Sequence, residues 1–213
     1  MKIIRPFTGA GGIFFPIGEP PEGTCEFATD KCKKFCYIKE NPNPDFDEEI
    51  IISFDDTLLI YDYFMNAPLL DLCDRIEKEL DGLQTNILHW FGSGDCQIKD
   101  IERILKIIDH LRLSKNIVQM GFTRNETIWM NNKDIFVLTV DDKQDIKGRI
   151  GRFSIPKYEE QISVIYSSDH IVKGGFCGPT TCRDQHKEEL EHYINCATCR
   201  RMKVGCFSRR MSG

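Results

Sequence analysis

The sequence predicts an α/β fold, a partial (open) βα barrel that carries a small cysteine-rich C-terminal appendage. Strand-like and helix-like segments alternate, and the strands are nearly continuous apolar runs, which is typical of a parallel sheet covered by helices. A full eight-fold barrel takes about 250 residues, more than lie between Ile50 and Val172. From Gly174 onward the sequence changes to cysteines and basic residues. We therefore predict a barrel domain over residues 1–173 and an appendage over residues 174–213.

The first third of the chain contains one predicted strand and one predicted helix. Residues 1–24 are expected to be extended and turn-rich, because glycines and prolines interrupt any helix. The apolar run Glu49–Phe54 predicts the first strand. A helix follows, and it is expected to bury Cys73 as a small apolar residue. Its apolar stripe is Leu69, Leu72, Cys73, Ile76 and Leu80.

Strands and helices then alternate along the chain. A strand over Asn86–Phe91 precedes a helix whose apolar stripe runs from Ile98 to Leu111. After Phe122 the connections shorten to about one helical turn. We expect His89 to be a core histidine rather than a ligand, and Trp90 and Trp129 to line the core or a pocket. The remaining predicted strands are Asn116–Phe122, Ile135–Val140, Ile162–Tyr166 and His170–Val172.

Composition excludes several classes of protein. The chain has 213 residues, of which 41% are hydrophobic, too many for a disordered tail. No window approaches the roughly 20 apolar residues of a membrane span, and Met1–Pro6 lacks the apolar core of a secretory signal. A net charge of −5 argues against a general nucleic-acid binder. We therefore expect a cytoplasmic protein without a membrane partner.

The chain has ten cysteines, and most lie in two groups near its ends. Cytosolic thiols stay reduced, so clustered cysteines there are more often metal ligands than disulfides. The first group is Cys25, Cys32 and Cys36. Three thiolates on one loop suit a [4Fe–4S] cluster with one iron open to a further ligand. A structural zinc site would normally need a fourth ligand nearby, and none is obvious in this segment.

The second group predicts another metal site near the C-terminus. Two thiolates at Cys-x2-Cys spacing can hold one metal ion, and further cysteines complete a tetrahedral or cubane site. An iron–sulfur cluster is favoured, with zinc as the alternative because two histidines lie close by. The candidate ligands are Cys196, Cys199, Cys206 and either Cys177 or Cys182. Neighbouring arginines and lysine would stabilise a thiolate-ligated site, and they could equally contact nucleic acid.

Polar residues follow two of the predicted strands, where α/β folds bind their ligands. The run Gly92, Ser93, Gly94, Asp95 ends one strand, and its glycines would let a ligand approach the backbone. Asp95 either accepts a hydrogen bond from an amino group or caps the next helix. Arg124 follows another strand and either binds a carboxylate or phosphate or is a surface arginine. Cys96 is expected to be an ordinary loop residue.

These motifs resemble a known family. Cys32-x3-Cys36-Tyr37 before the βα units is similar to the cluster loop of radical SAM enzymes, and Gly92–Asp95 is similar to their glycine-containing motif. Together with Phe122-Thr123-Arg124, the pattern is most similar to a phage-associated radical-SAM-like family. The resemblance implies a radical-SAM-type partial barrel, a [4Fe–4S] cluster and S-adenosylmethionine (SAM) as cofactors. It also implies that Tyr37, Gly92, Ser93, Gly94, Asp95 and Arg124 bind the cofactor.

Two alternatives to an iron–sulfur protein that binds SAM stay open. The usual loop is Cys-x3-Cys-x2-Cys, whereas here the spacers are six and three residues. The first alternative is therefore a non-catalytic iron–sulfur redox or sensing protein with an electron donor as its partner. The second is a zinc-stapled module that binds nucleic acid or protein. If SAM binds, the expected reaction is hydrogen abstraction from a small-molecule or macromolecular substrate that the sequence does not identify.

Overall fold

The computed structural model describes residues 1–7, 10–34, 36, 52–114, 117–132, 135–140, 151–153, 163–166 and 171–177. Only the backbone is described for residues 31, 34, 137 and 140 and for those after 150. The chain divides into two compact units, Met1–Phe136 and Val137–Gly213. Strands and helices both occur in the described residues, so the predicted α/β class is confirmed at the level of a mixed α/β chain.

The first unit contains a sheet in which sequential strands are neighbours. Its described strands are β1 Arg5–Phe7, β2 Ala10–Phe14, β3 Ile87–Ser93 and β4 Val118–Thr123, in that order. Strands β2, β3 and β4 are parallel, which confirms the parallel pairing predicted for β3 and β4. Strand β1 is antiparallel to β2, because residues 8–9 between them allow a hairpin but no crossover.

Helices connect the parallel strands. Between β2 and β3 lie the short helix α1 Asp30–Lys34 and the longer helices α2 Phe54–Asn66 and α3 Leu69–Gly82. A 3₁₀ turn, Ile98–Asp100, and helix α4 Ile101–Leu113 connect β3 to β4, and α5 Glu126–Asn131 follows β4. No helix in the described part of the chain has the length and apolar character needed to cross a membrane.

The strand predicted over Glu49–Phe54 is wrong where the structure describes it. Residues 49–51 lie outside the described residues, Ile52 and Ser53 are not in a strand, and Phe54 begins α2. The Oγ atom of Ser53 accepts a hydrogen bond from the main-chain N–H of Asp56 at 3.1 Å. An N-cap serine followed by acidic residues in the first turn is a strong helix start. This signal prevails over the apolar run before it.

The predicted helices bury most of the expected faces, although Leu69, Ile101 and Leu105 are only half-buried. Helix α3 buries Leu72, Cys73, Ile76 and Leu80, which confirms the structural role of Cys73. Helix α4 buries Ile104, Ile107, Ile108 and Leu111. Ile98, predicted to begin that stripe, is 60% exposed. It belongs to the 3₁₀ turn, whose three residues per turn shift its side chain away from the α-helical stripe.

Strand β3 is the centre of the core, and all of its residues are buried. The His89 ring lies edge-on to Phe7, with ring centroids 4.6 Å apart. Trp90 donates from Nε1 to Oε1 of Gln119 at 2.9 Å, so its polar atom is satisfied inside the core. Trp129 is also fully buried. The core positions predicted for these three aromatic residues are confirmed.

The first parallel strand is β2, which the sequence indicated only as extended chain. Its Ala10–Phe14 segment is entirely buried and pairs with β3. A Cβ atom on Gly11 would lie 2.6 Å from Cγ2 of Ile4, and one on Gly12 would lie 2.7 Å from Cβ of Phe7. Both glycines are therefore needed for close packing. Because glycine has a low β-propensity, the segment lacks the residues that predict a strand.

The second unit contains a strand series of mixed direction. Its strands are β5 Phe136–Val140, which begins at the unit boundary, then β6 Gly151–Phe153, β7 Ser163–Tyr166 and β8 Ile171–Cys177. Strands β5 and β6 are parallel, whereas β6–β7 and β7–β8 are antiparallel. The parallel arrangement expected for the strands at Ile162–Tyr166 and His170–Val172 is therefore wrong. The interval 167–170 between β7 and β8 is too short for the crossover that parallel neighbours need.

The predicted domain boundary between residues 173 and 174 falls within β8. The residues from 178 onward, which make up nearly all of the predicted appendage, lie outside the described residues. The appendage stays a prediction.

Candidate functional site

The three parallel strands of the first unit end at one edge of their sheet. Strand β2 ends at Phe14, β3 at Ser93 and β4 at Thr123. The segments that follow these ends contain Cys25, Asp95 and Arg124, all of which the sequence singled out. The carboxyl edge of parallel strands is where α/β folds bind their ligands. The topology therefore brings the candidate residues to the expected edge.

Asp95 is a buried carboxylate that joins the ends of β3 and β4. Its Oδ1 atom accepts hydrogen bonds from Oγ1 of Thr123 at 2.6 Å and from the N–H of Cys96 at 2.7 Å. Its Oδ2 atom accepts one from the N–H of Arg124 at 2.7 Å. The proposed helix-capping role is wrong, because the next helical segment begins at Ile98 and receives no side-chain cap.

Burial dominates the electrostatics of Asp95. Desolvation raises the pKa of its carboxyl to about 6. The hydrogen bonds from Thr123, Arg124 and Cys96, and then the charge of Arg124, oppose that shift. The carboxyl is therefore ionised at neutral pH, and it already has three donors from the protein. Whether Arg124 also binds a ligand stays a prediction.

The neighbouring motif residues are used for packing between β2 and β3. Ser93 donates from Oγ to the carbonyl of Phe15 at 2.7 Å and accepts at its own carbonyl from the N–H of Phe15 at 3.0 Å. A Cβ atom on Gly92 would lie 2.8 Å from the ring of Phe14. Gly94 has φ +70°, and a Cβ atom there would lie 2.8 Å from Cβ of Phe15. Close packing thus explains why each position is a glycine. That a ligand approaches the backbone there stays a prediction.

Cys25 is held at the same edge by its two neighbours. Thr24 accepts at Oγ1 from the N–H of Asp95 at 3.1 Å. Glu26 accepts at Oε2 from the N–H of Ile98 at 2.7 Å. The N–H of Cys25 itself donates to the carbonyl of Gly18 at 2.8 Å. These bonds fix the backbone of Cys25 against the loop that follows β3.

Cys32 and Cys36 both lie close enough to Cys25 to act on it electrostatically. Cys25, Cys32 and Cys36 are all of intermediate exposure. Burial raises the pKa of Cys25 to about 12, a hydrogen bond with the Gly18 backbone opposes this shift, and the negative charge of Asp95 adds to it. Cys25 is therefore a neutral thiol at neutral pH, and a metal would have to displace its proton.

The donor chemistry of this group fits an iron–sulfur cluster, since all three side chains are thiols on one segment. Their side chains are not arranged as a complete set of metal ligands. Among the residues that the structure describes, no group of three or more His, Cys, Asp or Glu side chains is placed to hold a metal ion.

A second polar group lies beside the same loop, and sequence reasoning missed most of it. Cys96 is 1% exposed and donates from Sγ to the carbonyl of Gln97 at 3.4 Å, so it is a buried residue. Tyr61 donates from its hydroxyl to Oδ2 of Asp100 at 2.7 Å and accepts from Nε2 of Gln97 at 3.2 Å. Burial raises the pKa of Asp100. No motif marks Tyr61 or Asp100, because the residues that meet here are far apart in sequence.

Several predicted site residues lie outside the described residues. They are Tyr37, Cys182, Cys196, Cys199 and Cys206. Cys177 ends β8, but its side chain is not described. The second metal site and the basic segment beside it therefore stay predictions.

Comparison with known proteins adds no family to this picture: no family model, curated protein or solved structure matches the chain.

Proposed function

We propose that this chain is an iron–sulfur protein of radical-SAM-like type, in which Cys25, Cys32 and Cys36 hold a [4Fe–4S] cluster at the mouth of a partial barrel. The observation that carries the proposal is the position of Cys25. Hydrogen bonds to its neighbours Thr24 and Glu26 fix the backbone of Cys25 at the carboxyl edge of β2–β4. The two other thiols of the group lie within electrostatic reach.

Three thiolates leave one iron of such a cluster without a protein ligand. We propose SAM as the ligand of that iron, bound through its amino and carboxylate groups. When bound, the cluster supplies an electron for cleavage of the sulfonium bond, and the protein supplies position and electrostatics. The substrate and the electron donor are outside what the residues identify.

The hydrogen bonds of Asp95 to the protein limit the role that it could have in binding SAM. Both of its carboxylate oxygens are already bound by Thr123, Cys96 and Arg124. Its main role in the proposed site is to fix the loop after β3, and any contact with SAM would be additional. The effect of Asp95→Ala on SAM binding would therefore mix two causes, so this variant is a poor test.

We propose a second metal site in the C-terminal segment on the sequence pattern alone. Cys196 and Cys199 supply the Cys-x2-Cys pair, Cys206 a third thiolate, and Cys177 or Cys182 the fourth. An iron–sulfur cluster is the proposed occupant, with zinc as its competitor. The basic residues that follow the pair are the proposed contact for nucleic acid, should the segment bind any.

The experiment that tests SAM binding uses the whole, anaerobically purified protein. Its EPR spectrum is recorded after reduction, with and without excess SAM, and 5′-deoxyadenosine is measured by chromatography. The proposal predicts a changed spectrum and slow formation of 5′-deoxyadenosine without substrate. An unchanged spectrum with no product would mean that the iron is closed, for example by Cys96 or Cys177, and would favour the redox alternative.

A further inference from the structure

We infer that helix α2 carries a docking surface for a basic amphipathic helix of a partner protein. The surface is an apolar stripe, here called the α2 stripe, formed by Phe54, Leu58, Tyr61 and Met65. Phe54 and Leu58 are 46% and 39% exposed. Tyr61 and Met65 are half-buried. The α2 stripe lies wholly in the first unit and contains no cysteine.

The α2 stripe is separate from the face of α2 that packs on the core. That core face is Thr57, Ile60 and Phe64, all of which are buried. With about 3.6 residues per turn, the α2 stripe lies about a quarter-turn away from it. The members of the stripe follow one another at intervals of four, three and four residues, the spacing at which one helix packs along another. A single exposed apolar side chain is ordinary, whereas a row at this spacing is typical of a face that binds a helix.

Tyr61 is held in place where the stripe meets the 3₁₀ turn after β3. Its hydroxyl donates to Oδ2 of Asp100 at 2.7 Å and accepts from Nε2 of Gln97 at 3.2 Å. The Nζ atom of Lys99 lies 5.8 Å from the centroid of its ring. Ile98 of the same turn is 60% exposed, so both elements present apolar surface. A side chain that is already ordered loses less freedom on binding, which favours docking.

Carboxylates line the opposite border of the α2 stripe. Asp55 and Asp62 lie about another quarter-turn round α2, away from the core face. Both are exposed. The sequence of α2 contains three aspartates and no lysine, arginine or histidine. At the border with the turn, Lys99 lies close enough to Asp100 for their charges to interact. The acidic border attracts a partner helix whose own apolar stripe is flanked by lysine or arginine.

The same charges decide between possible occupants. In a twofold contact between two copies of the chain, Asp55 and Asp62 of one α2 would face and repel those of the other. A nucleic acid or an anionic membrane would be repelled as well. A basic amphipathic helix is the occupant whose apolar and charged parts both fit.

The test measures the binding of a defined probe to the full chain. The probe is a fluorescein-labelled peptide of about 14 residues, or four helical turns, made only of leucine and lysine in an amphipathic pattern. A peptide with glutamate in place of every lysine is the control. Binding is followed by fluorescence anisotropy, and the urea midpoint of each protein variant reports whether it is folded.

Leu58→Gln and Leu59→Gln are the matched variants for the apolar contact. Leu59 is 56% exposed but lies on a different side of α2 from the stripe. We expect Leu58→Gln to raise the Kd of the leucine–lysine peptide about five- to thirtyfold. Leu59→Gln should leave the Kd within about twofold. Phe54→Gln should act as Leu58→Gln does, and it replaces that variant if Leu58→Gln fails to fold. Equal Kd values for the stripe variant and Leu59→Gln would overturn the docking surface.

Asp55→Asn combined with Asp62→Asn tests the acidic border. Asparagine keeps an acceptor oxygen for Nδ2 of Asn66, which donates to Oδ1 of Asp62 at 2.8 Å. Asp74→Asn combined with Asp81→Asn is the control, because it changes the net charge equally at exposed residues of α3. We expect the α2 pair to raise the Kd about two- to tenfold and to weaken its dependence on salt. The α3 pair should have the smaller effect, and equal effects would overturn the charge complementarity.

Two further results would also overturn the docking surface. One is that the wild type does not bind the leucine–lysine peptide, or binds the leucine–glutamate peptide equally well. The other concerns a second copy and is measured by sedimentation velocity without peptide. We expect Leu58→Gln to leave the oligomeric state of the chain unchanged. A wild-type dimer that Leu58→Gln dissociates would mean that a second copy covers the α2 stripe.

Discussion

The hydroxyl of Thr123 donates a hydrogen bond to Oδ1 of Asp95 at 2.6 Å and so joins the ends of β4 and β3. The same hydroxyl accepts from the N–H of Asn125 at 3.0 Å. The side chains of Thr123, Asp95 and Asn125 are all buried. One threonine therefore satisfies a buried carboxylate and a buried amide at the edge where the proposed site lies.

Replacing Thr123 by valine should destabilise the first unit. Valine keeps the volume but leaves Oδ1 of Asp95 and the N–H of Asn125 each short of a partner. We expect the free energy of unfolding to fall by about 2–3 kcal/mol, measured by urea denaturation. Thr127→Val is the matched control, since Thr127 is exposed, and it should change stability by less than about 0.5 kcal/mol. Equal effects of the two variants would show that the buried hydroxyl contributes little.

The raised pKa of Asp95 predicts a specific dependence of stability on pH. The carboxyl titrates at about 6 in the folded chain, against an ordinary value of 3.8. The folded state therefore holds this proton more tightly than the unfolded state. The stability that this provides is fully present below the ordinary value and is lost as the pH rises through 6.

The measurement is the difference in unfolding free energy between the wild type and Asp95→Asn, taken from pH 4 to pH 8. Other carboxyls titrate alike in both proteins and cancel in this difference. We expect the wild type to lose about 2–3 kcal/mol relative to the variant between pH 4 and pH 7. If the unfolding free energy of the wild type instead rises relative to that of Asp95→Asn as the pH increases, the three hydrogen bonds outweigh burial.

Gly94 tests the close contact between the loop after β3 and the cysteine segment. Its φ of +70° is strained for any residue with a Cβ, and that Cβ would meet Phe15 and the hydroxyl of Thr24. We expect Gly94→Ala to cost about 2–4 kcal/mol of unfolding free energy. Gly82→Ala is the control, because nothing lies within 4 Å of a Cβ there. In a helix it should be neutral or stabilise by up to about 1 kcal/mol. Similar stabilities of the two variants would contradict the contact.

Sequence reasoning succeeded for the elements whose signal is local. Helix α3 and strand β3 have a strong apolar pattern, and the structure places both as predicted. Strand β2 was missed because its glycines are explained only by Ile4 and Phe7, which pack against them. The strand at Glu49–Phe54 failed because the capping signal of Ser53 was not weighed against the apolar run.

The site was predictable in its place but not in its contacts. Asp95 follows a strand, and this is enough to put it at the carboxyl edge. Its link to Thr24 spans 71 positions of the chain, and its link to Thr123 spans 28. No local pattern specifies such partners, so a residue proposed to touch a ligand proves to be bound by the protein itself.

The most direct test of the central claim is the iron and acid-labile sulfide content of anaerobically purified protein. Wild type is compared with the variant in which Cys25, Cys32 and Cys36 are all alanine. We predict that the wild type contains iron and sulfide in similar amounts, and that the variant loses about four of each while keeping a second, C-terminal cluster. Loss of all iron from the variant would indicate one site shared by both ends of the chain. Equal iron and sulfide in the two proteins, or zinc without sulfide in the wild type, would contradict the proposed cluster.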